Sequence, residues 1–211
     1  MDFIKEPMAI ENRSMELIAP HLEGLHLDER ATKLYSRLIH ASGDVGYAPI
    51  TRVHPEAIDR AIEALKAGAH IYTDVEMVRT GINKKKLASF GGEVHCLVAD
   101  PEVAARAKAE GITRSMVAMR QFGKALDGSI VAIGNAPTAL FEVLRLVSEE
   151  GIRPACIVGI PVGFVGAAES KAALASHGIV PYITVEGTKG GSPIAAAAIN
   201  ALMYLIDNTR P

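Results

Sequence analysis

The hydrophobic pattern of this chain alternates between short, uninterrupted apolar runs and longer segments with helical spacing. Residues 129–134 (SIVAIG) and 154–161 (PACIVGIP) show no polar alternation, which is typical of strands buried on both faces of a parallel sheet. Between these runs, residues 139–150 place apolar side chains three or four positions apart. Each run ends in a glycine-rich turn. The pattern predicts strand, turn, helix, strand, turn and helix over residues 129–170.

The same alternation continues through the rest of the chain. Further strands are predicted at residues 69–74, 93–99 and 181–185, and further helices at 11–18, 29–42, 56–68, 75–82, 101–110, 115–126, 171–177 and 192–205. Alternating strands and helices without repeats favour an α/β fold. We expect a single doubly wound domain with a mostly parallel central sheet flanked by helices. This domain is expected to cover residues 1–211. We expect residues 1–27 to form an N-terminal segment and residues 28–211 to form the α/β core.

Composition narrows the class of protein. The chain has 211 residues, of which 49% are hydrophobic and 22% charged, which suits one domain with a large core. It contains no apolar run near the roughly 18 residues of a membrane span, and the first residues lack the apolar core of a signal peptide. A net charge of −2 argues against nucleic acid. Cys96 and Cys156 lie in apolar runs and are expected to be reduced thiols. These features predict a cytoplasmic protein.

His40 is the first candidate for chemistry. It ends the predicted helix 29–42, directly before Gly43 and Asp44. A helix C-terminus favours the protonated imidazole, and a neighbouring carboxylate adds to the effect. His40 is therefore a candidate proton donor, although a histidine that only caps the last carbonyls gives the same pattern. The other histidines show no paired-ligand spacing, so the sequence predicts no metal site.

Charged and glycine-rich positions near the strand ends suggest an anionic ligand. Asp74 follows a strand, where it either contacts a ligand or caps the next helix. The run 187–192 (GTKGGS) could hold a phosphate or a carboxylate, yet it is not a P-loop, and no dinucleotide fingerprint is present. Four arginines are candidate anion clamps, each with the alternative of an ordinary surface residue: Arg13, Arg79, Arg114 and Arg120.

Five segments in order along the chain carry a resemblance to a known family. They are residues 37–44 (RLIHASGD), 71–78 (IYTDVEMV), 132–141 (AIGNAPTALF), 159–171 (GIPVGFVGAAESK) and 187–202 (GTKGGSPIAAAAINAL). Together they resemble the precorrin-8X methylmutase family, which includes the cobalt-precorrin-8 methylmutases. The similarity extends from about residue 13 to about residue 202.

The resemblance implies an isomerase of cobalamin biosynthesis that moves a methyl group from carbon 11 to carbon 12 of a precorrin-8 macrocycle, with or without cobalt, to give hydrogenobyrinate or cobyrinate. It implies no cofactor and no protein ligand to a metal, a homodimer, and His40 as proton donor. The substrate is a large ring with many carboxylate arms, which requires cationic donors and a wide cleft. The residues expected to bind it are Arg13, Ser14, Asp44, Asp74, Met77, Arg120, Asn135, Thr138, Gly163, Phe164, Val165, Gly166, Lys189, Gly190 and Ser192.

Two other functions stay open at this point. The turn at Gly190 and Gly191 is compatible with a nucleotide or sugar-phosphate enzyme of the α/β class. A corrinoid carrier without catalytic activity would bind the same macrocycle and would not need His40.

Overall fold

A computed structural model of the chain describes residues 3–207. Residues 1, 2 and 208–211, the two ends of the predicted domain, lie outside the described residues. The helices are α1 (Pro7–Ile18), α2 (Glu29–Ser42), α3 (Ala57–Lys66), α4 (Glu76–Gly81), α5 (Lys84–Ser89), α6 (Pro101–Glu110), α7 (Arg114–Phe122), α8 (Pro137–Glu149), α9 (Ala167–His177) and α10 (Ser192–Asp207). The strands are β1 (Thr51–Val53), β2 (Ile71–Thr73), β3 (Val94–Cys96), β4 (Ile130–Ile133), β5 (Cys156–Gly159) and β6 (Tyr182–Val185).

The strands form one sheet in the order β1-β6-β5-β4-β2-β3. Strands β2 to β6 are parallel, and β1 joins β6 in the antiparallel direction, with Thr51 opposite Val185. The order changes direction between β2 and β4, which is the switch point of a doubly wound sheet. The predicted α/β fold with a mostly parallel sheet is confirmed.

Helices cover both faces of the sheet because the central strands are apolar on both sides. In β4, Ile130 and Ala132 join the core beneath α2, α3 and α10, whereas Val131 and Ile133 join the core beneath α7 and α8. All four side chains are fully buried. At about 25 cal/mol for each Å² of apolar surface removed from water, this double coverage is the main stabilising term of the sheet.

Most predicted elements are confirmed, although α1 begins at Pro7 and not at residue 11, and β3 covers only three of the seven residues predicted for it. Strand β1 and helix α5 were not predicted, and the helix predicted over residues 115–126 ends at Phe122 and continues as a 3-10 turn. Both cysteines are free thiols, and Cys156 is buried, which raises the pKa of its thiol to about 12. Among residues 3–207, no helix combines the length and the apolar character that crossing a bilayer requires.

Candidate functional site

The loops that carry the predicted site lie at the carboxyl edge of the sheet. Strands β2, β4, β5 and β6 are parallel, so the segments that follow them emerge at the same edge. Because β1 is antiparallel to β6, the segment 40–50 that precedes β1 arrives there as well. The structure thus brings His40, the 134–138 turn, the 160–166 loop and the 186–192 loop to one side of the molecule.

His40 lies in the last turn of α2, which begins at its N-cap Asp28 and ends where Gly43 adopts a left-handed conformation with φ 64°. The His40 side chain is exposed. It lines a hollow of about 390 Å³ together with Ser14, Leu17, Ile18, Ile39, Gly43 and Val45. Within residues 3–207, its imidazole has no hydrogen-bonding partner, so both ring nitrogens are available to a bound molecule.

The Asp44 carboxylate is engaged with Lys189 and Gly46. It accepts a hydrogen bond from the Lys189 ammonium at 2.5 Å and one from the Gly46 N–H at 2.8 Å. The hydrogen bond from Lys189 lowers the pKa of Asp44, and the Asp44 carboxylate raises the pKa of Lys189. Asp44, Lys189 and Gly190 line a second hollow, of about 430 Å³, on the other side of the 40–45 segment.

The loop of Lys189 is held by main-chain contacts to the neighbouring loop. The Gly163 N–H donates to the Thr188 carbonyl at 3.1 Å, and the Gly191 N–H donates to the Ile160 carbonyl at 2.9 Å. A Cβ atom on Gly190 would lie 2.5 Å from the Ile160 carbonyl oxygen, so only glycine allows this approach.

Two residues at this loop were missed by the sequence analysis. The hydroxyl of the buried Tyr47 donates to the Gly190 carbonyl at 3.3 Å, and Lys189 lies over the Tyr47 ring at 5.7 Å from its centroid. The ammonium of Lys171, whose residue is 1% exposed, donates to the Lys189 carbonyl. Burial lowers the pKa of Lys171 to about 8. Neither contact leaves a local signal, because each joins residues far apart along the chain.

The prediction that Asp74 binds the substrate is wrong, and so is the alternative that it caps α4. The side chain is 0% exposed, and the N-cap of α4 is Val75. The Asp74 carboxylate accepts three main-chain hydrogen bonds, from Gly134 at 3.0 Å, Asn135 at 2.8 Å and Ala136 at 2.7 Å. Burial raises the pKa of Asp74 and the three N–H donors oppose that rise. Asp74 therefore closes the switch-point crevice and fixes the turn before α8, and the N–H of Asn135 is not available to a ligand.

Arg120, predicted as an anion clamp, is engaged within the protein. Its guanidinium makes two parallel hydrogen bonds to the carboxylate of Glu142, at 2.9 and 3.0 Å, and a third to Glu110 at 2.9 Å. The Glu142 side chain is 2% exposed, and Arg145 also bonds its carboxylate, at 2.7 Å. Arg13, in contrast, makes one ion pair within the described part of the chain, an exposed one with Glu16 at 2.8 Å. Such a pair contributes little and can be exchanged for a ligand carboxylate.

The remaining predicted residues divide by exposure. Phe164 and Val165 are 94% and 90% exposed between Gly163 and Gly166, whose φ values are 147° and 80°. The other exposed or partly exposed positions are Met77 in the first turn of α4, the Asn135 side chain, and Thr138, whose hydroxyl bonds that of Thr113 at 2.8 Å. Ser192 is buried against Gly134, so it is not presented at the rim as predicted.

The described residues contain one cluster of potential metal ligands, formed by His70, Glu93 and His95. It lies at the amino edge of the sheet, opposite the site. At the carboxyl edge, the available chemistry is one exposed imidazole, exchangeable ion pairs and exposed apolar side chains. This combination suits proton transfer to a large, partly apolar anion. The fold is thus that of a doubly wound α/β protein, and an exposed histidine lies at the carboxyl edge of its sheet.

Comparison with known proteins identifies the family. The family model for precorrin-8X methylmutase (CbiC) matches residues 9–205. The cobalt-precorrin-8 methylmutase of Priestia megaterium is 41% identical over 203 residues, which are 96% of this chain and 90% of that protein. The precorrin-8X methylmutase of a Sinorhizobium species is 43% identical, covering 95% of this chain and 96% of that protein. The crystal structure of precorrin-8x methyl mutase from Thermus thermophilus superposes with a TM-score of 0.87 at 39% identity, covering 95% and 96% of the two chains.

The chain belongs to the precorrin-8X methylmutase family. It is an isomerase, an intramolecular methyl transferase, with a role in cobalamin biosynthesis. Neither a nucleotide enzyme nor a carrier without activity agrees with this membership.

Proposed function

We propose that this isomerase moves a methyl group from carbon 11 to carbon 12 of precorrin-8 or its cobalt complex, giving hydrogenobyrinate or cobyrinate, and that His40 supplies the proton. The observation that carries the proposal is the exposed imidazole of His40 in a hollow at the carboxyl edge of the sheet. Sequence identity of about 40% to named methylmutases over nearly the whole chain supports the choice of substrate.

The role of the proton follows from the chemistry of the migration. In a 1,5-sigmatropic shift, the bond from the methyl to carbon 11 breaks as the bond to carbon 12 forms, and the conjugated system of the ring changes. Protonation of the macrocycle by His40 makes the shift directional. Because isomerisation leaves the composition unchanged, the ring must return one proton, to the imidazole or to solvent. The cleft contributes by holding the methyl group over the acceptor carbon.

To bind the carboxylate arms of the substrate, a cationic side chain must exchange its ion pair within the protein for one with the substrate. Lys189 and Arg13 meet this requirement, because their partners Asp44 and Glu16 are 41% and 64% exposed and are solvated after the exchange. The exposed ring of Phe164 and the side chain of Val165 supply apolar cover for the macrocycle. The cations would thus bind the carboxylate arms of the substrate, and the 160–166 loop would contact its ring.

Replacing His40 tests the proposal. We expect His40→Gln to fold and to bind the corrinoid within a few-fold of the wild type, because the imidazole is exposed and not part of the core. Turnover, followed by ¹H NMR of the migrating methyl group, should fall by about 10²–10⁴-fold, the usual contribution of a positioned general acid.

His21→Gln is the matched control, since His21 is also exposed and lies in the N-terminal part of the chain. Turnover by His40→Gln close to that of the control would remove His40 from the mechanism. If binding and turnover fell together, His40 would act in recognition and not as an acid.

The homodimer and the cytoplasmic location stay predictions. The homodimer is supported by exposed apolar side chains at the N-terminal end of the structure, namely Phe3, Ile4, Met8, Ile10 and Leu17. An apolar surface of this kind is typical of a protein contact.

A further inference from the structure

The cluster of His70, Glu93 and His95 lies at the amino edge of the sheet, away from the proposed catalytic site. Strands β2 and β3 are parallel, with Ile71 opposite Val94 and Tyr72 opposite His95. His70 and Glu93 therefore stand opposite each other just before their strands begin. Because side chains alternate along a strand, His70 and Tyr72 share a face with Glu93 and His95.

The geometry of the two imidazoles is close to that of a pair of metal ligands. Nε2 of His95 and Nδ1 of His70 are 3.0 Å apart. Two nitrogens that bind one Zn²⁺ ion tetrahedrally, each at about 2.0–2.1 Å, are separated by about 3.3 Å. An opening of a few tenths of an ångström is thus sufficient, and the exposed His70 side chain has room to make it.

Glu93 provides a third ligand on the same face. One of its carboxylate oxygens and the two ring nitrogens all lie within 4.8 Å of one another. The carboxylate is exposed and can rotate toward the imidazoles. Two imidazoles and one carboxylate are a ligand set that favours late first-row divalent ions, such as Zn²⁺.

The surroundings of His95 hold its ring in place for this role. The ring stacks on Tyr72 with centroids 5.0 Å apart and planes at 23°, and Tyr72 in turn packs edge-on against Phe122 at 4.7 Å. An imidazole held in one orientation by its neighbours presents its ring nitrogen to an ion in a fixed direction.

From this arrangement we propose that His70, Glu93 and His95 form a binding site for one divalent transition-metal ion of the Zn²⁺ class, distinct from the substrate site. When the ion binds, the proton between the two imidazoles moves through solvent to the outer ring nitrogen of the imidazole that donated it. The ion then takes its place and links the edge strand β3 to β2. Strand β3 has three residues and pairs on one side only. Metal binding therefore stabilises the edge of the sheet.

The test uses the full chain, freed of metal with a chelator and titrated with Zn²⁺ alone by calorimetry. We expect one Zn²⁺ for each chain and a higher melting temperature on binding. His70→Gln, His95→Gln and Glu93→Gln should each weaken binding by about tenfold or more, since even the loss of an outer-shell partner commonly costs 10–100-fold. His21→Gln is the matched control and should bind Zn²⁺ like the wild type.

Two results would overturn the proposal. One is the absence of saturable binding below millimolar Zn²⁺ in the wild type. The other is unchanged Zn²⁺ affinity in any of the three cluster variants, with circular dichroism showing that the variant is folded. Because His70 and Glu93 are exposed, their substitutions leave the core intact.

Discussion

Asp74 and Lys171 are buried, charged residues next to the proposed site. The side chains of both form hydrogen bonds to main-chain groups of the protein and are not exposed to a ligand. Asp74 accepts hydrogen bonds from three successive N–H groups of the 134–136 turn. Lys171 donates to the carbonyl of Lys189. Each charge is placed where a loop would otherwise leave polar main-chain groups without partners. At the scale of single residues, buried charge here fixes the loops that carry the site.

Asp74→Asn should destabilise the protein by about 1–3 kcal/mol, because the amide NH₂ of asparagine would face main-chain N–H groups and leave at least one of them unpaired. Chemical unfolding measures this change in the free energy of unfolding. Asp100→Asn is the control, since Asp100 caps α6 through one oxygen and asparagine caps a helix equally well. Equal stability of the two variants would contradict the role given to Asp74.

Lys171 predicts a pH dependence of stability. The unfolded chain holds the Lys171 proton up to about pH 10.5, whereas burial makes the folded protein release it near pH 8. Between these values the unfolded chain binds more protons, so the free energy of unfolding rises with pH. The difference of the two pKa values corresponds to about 3 kcal/mol.

Unfolding measured from pH 7 to pH 10.5 in the wild type and in Lys171→Met isolates this contribution, because all other groups are common to both proteins. The wild type should gain stability relative to the variant as the pH rises. Lys108→Met, an exposed position in α6, should run parallel to the wild type. A wild-type curve that also ran parallel to that of Lys171→Met would show that Lys171 titrates normally.

Sequence reasoning reached His40 but not the partners of the charged residues. The position of His40 depends on local features, the helix pattern and the Gly43 turn, which are visible in the sequence. The partners of Arg120 and Asp44 are Glu142 and Lys189, which tertiary contacts bring close. Because an exposed arginine and a paired one look alike in sequence, these assignments needed the structure.

At the scale of elements, the site depends on two loops that are joined through their main chains. The loop after β5 and the loop after β6 exchange hydrogen bonds at Gly163 and Gly191. Gly190 permits the contact, since its φ is 152° and a Cβ atom there would collide with carbonyl oxygens. These contacts hold the segment with Phe164 against the segment with Lys189.

Gly190→Ala should separate these loops. We expect a loss of stability that exceeds that of Gly111→Ala by about 1–3 kcal/mol, the usual cost of overpacking. Gly111 also has a positive φ, of 66°, but no atom lies within 4 Å of the added Cβ. The excess loss at Gly190 therefore combines the collision with the carbonyl oxygens and the greater strain of its φ of 152°. Corrinoid binding, measured by absorbance, should weaken in Gly190→Ala. Equal losses of stability in the two variants would show that the contact with Ile160 is not tight.

The elements that sequence reasoning missed share a physical cause. Strand β1 has three residues at an edge of the sheet, and one of them is the exposed Arg52, so no apolar run marks it. Helix α5 begins with three lysines and buries only Leu87, which leaves no amphipathic pattern. The predicted strands β4 and β5 are buried on both faces, whereas β3, which was also predicted, lies at an edge and is partly buried. A strand buried on both faces requires an uninterrupted apolar run in the sequence, whereas main-chain pairing at the edge of a sheet does not.

For the whole molecule, the exposed apolar residues around α1 predict self-association. Met8→Lys combined with Ile10→Lys should convert the expected homodimer to a monomer, because two ammonium groups on each copy would oppose the contact. Light scattering coupled to size exclusion measures the mass. Ile179→Lys, at an apolar position that is also 50% exposed, is the control and should remain dimeric. A wild-type monomer would contradict the prediction directly.

The antiparallel pairing of β1 with β6 has a consequence for synthesis on the ribosome. The strand that follows His40 is made first, and the strand it pairs with is made last. Until residues 182–192 have been made, β1 has no partner strand and Asp44 has no lysine beside it. A nascent chain without these residues therefore lacks the Asp44–Lys189 ion pair of the proposed site. That pair joins residues 145 positions apart, and contacts of such long range form late and slow the folding of a chain.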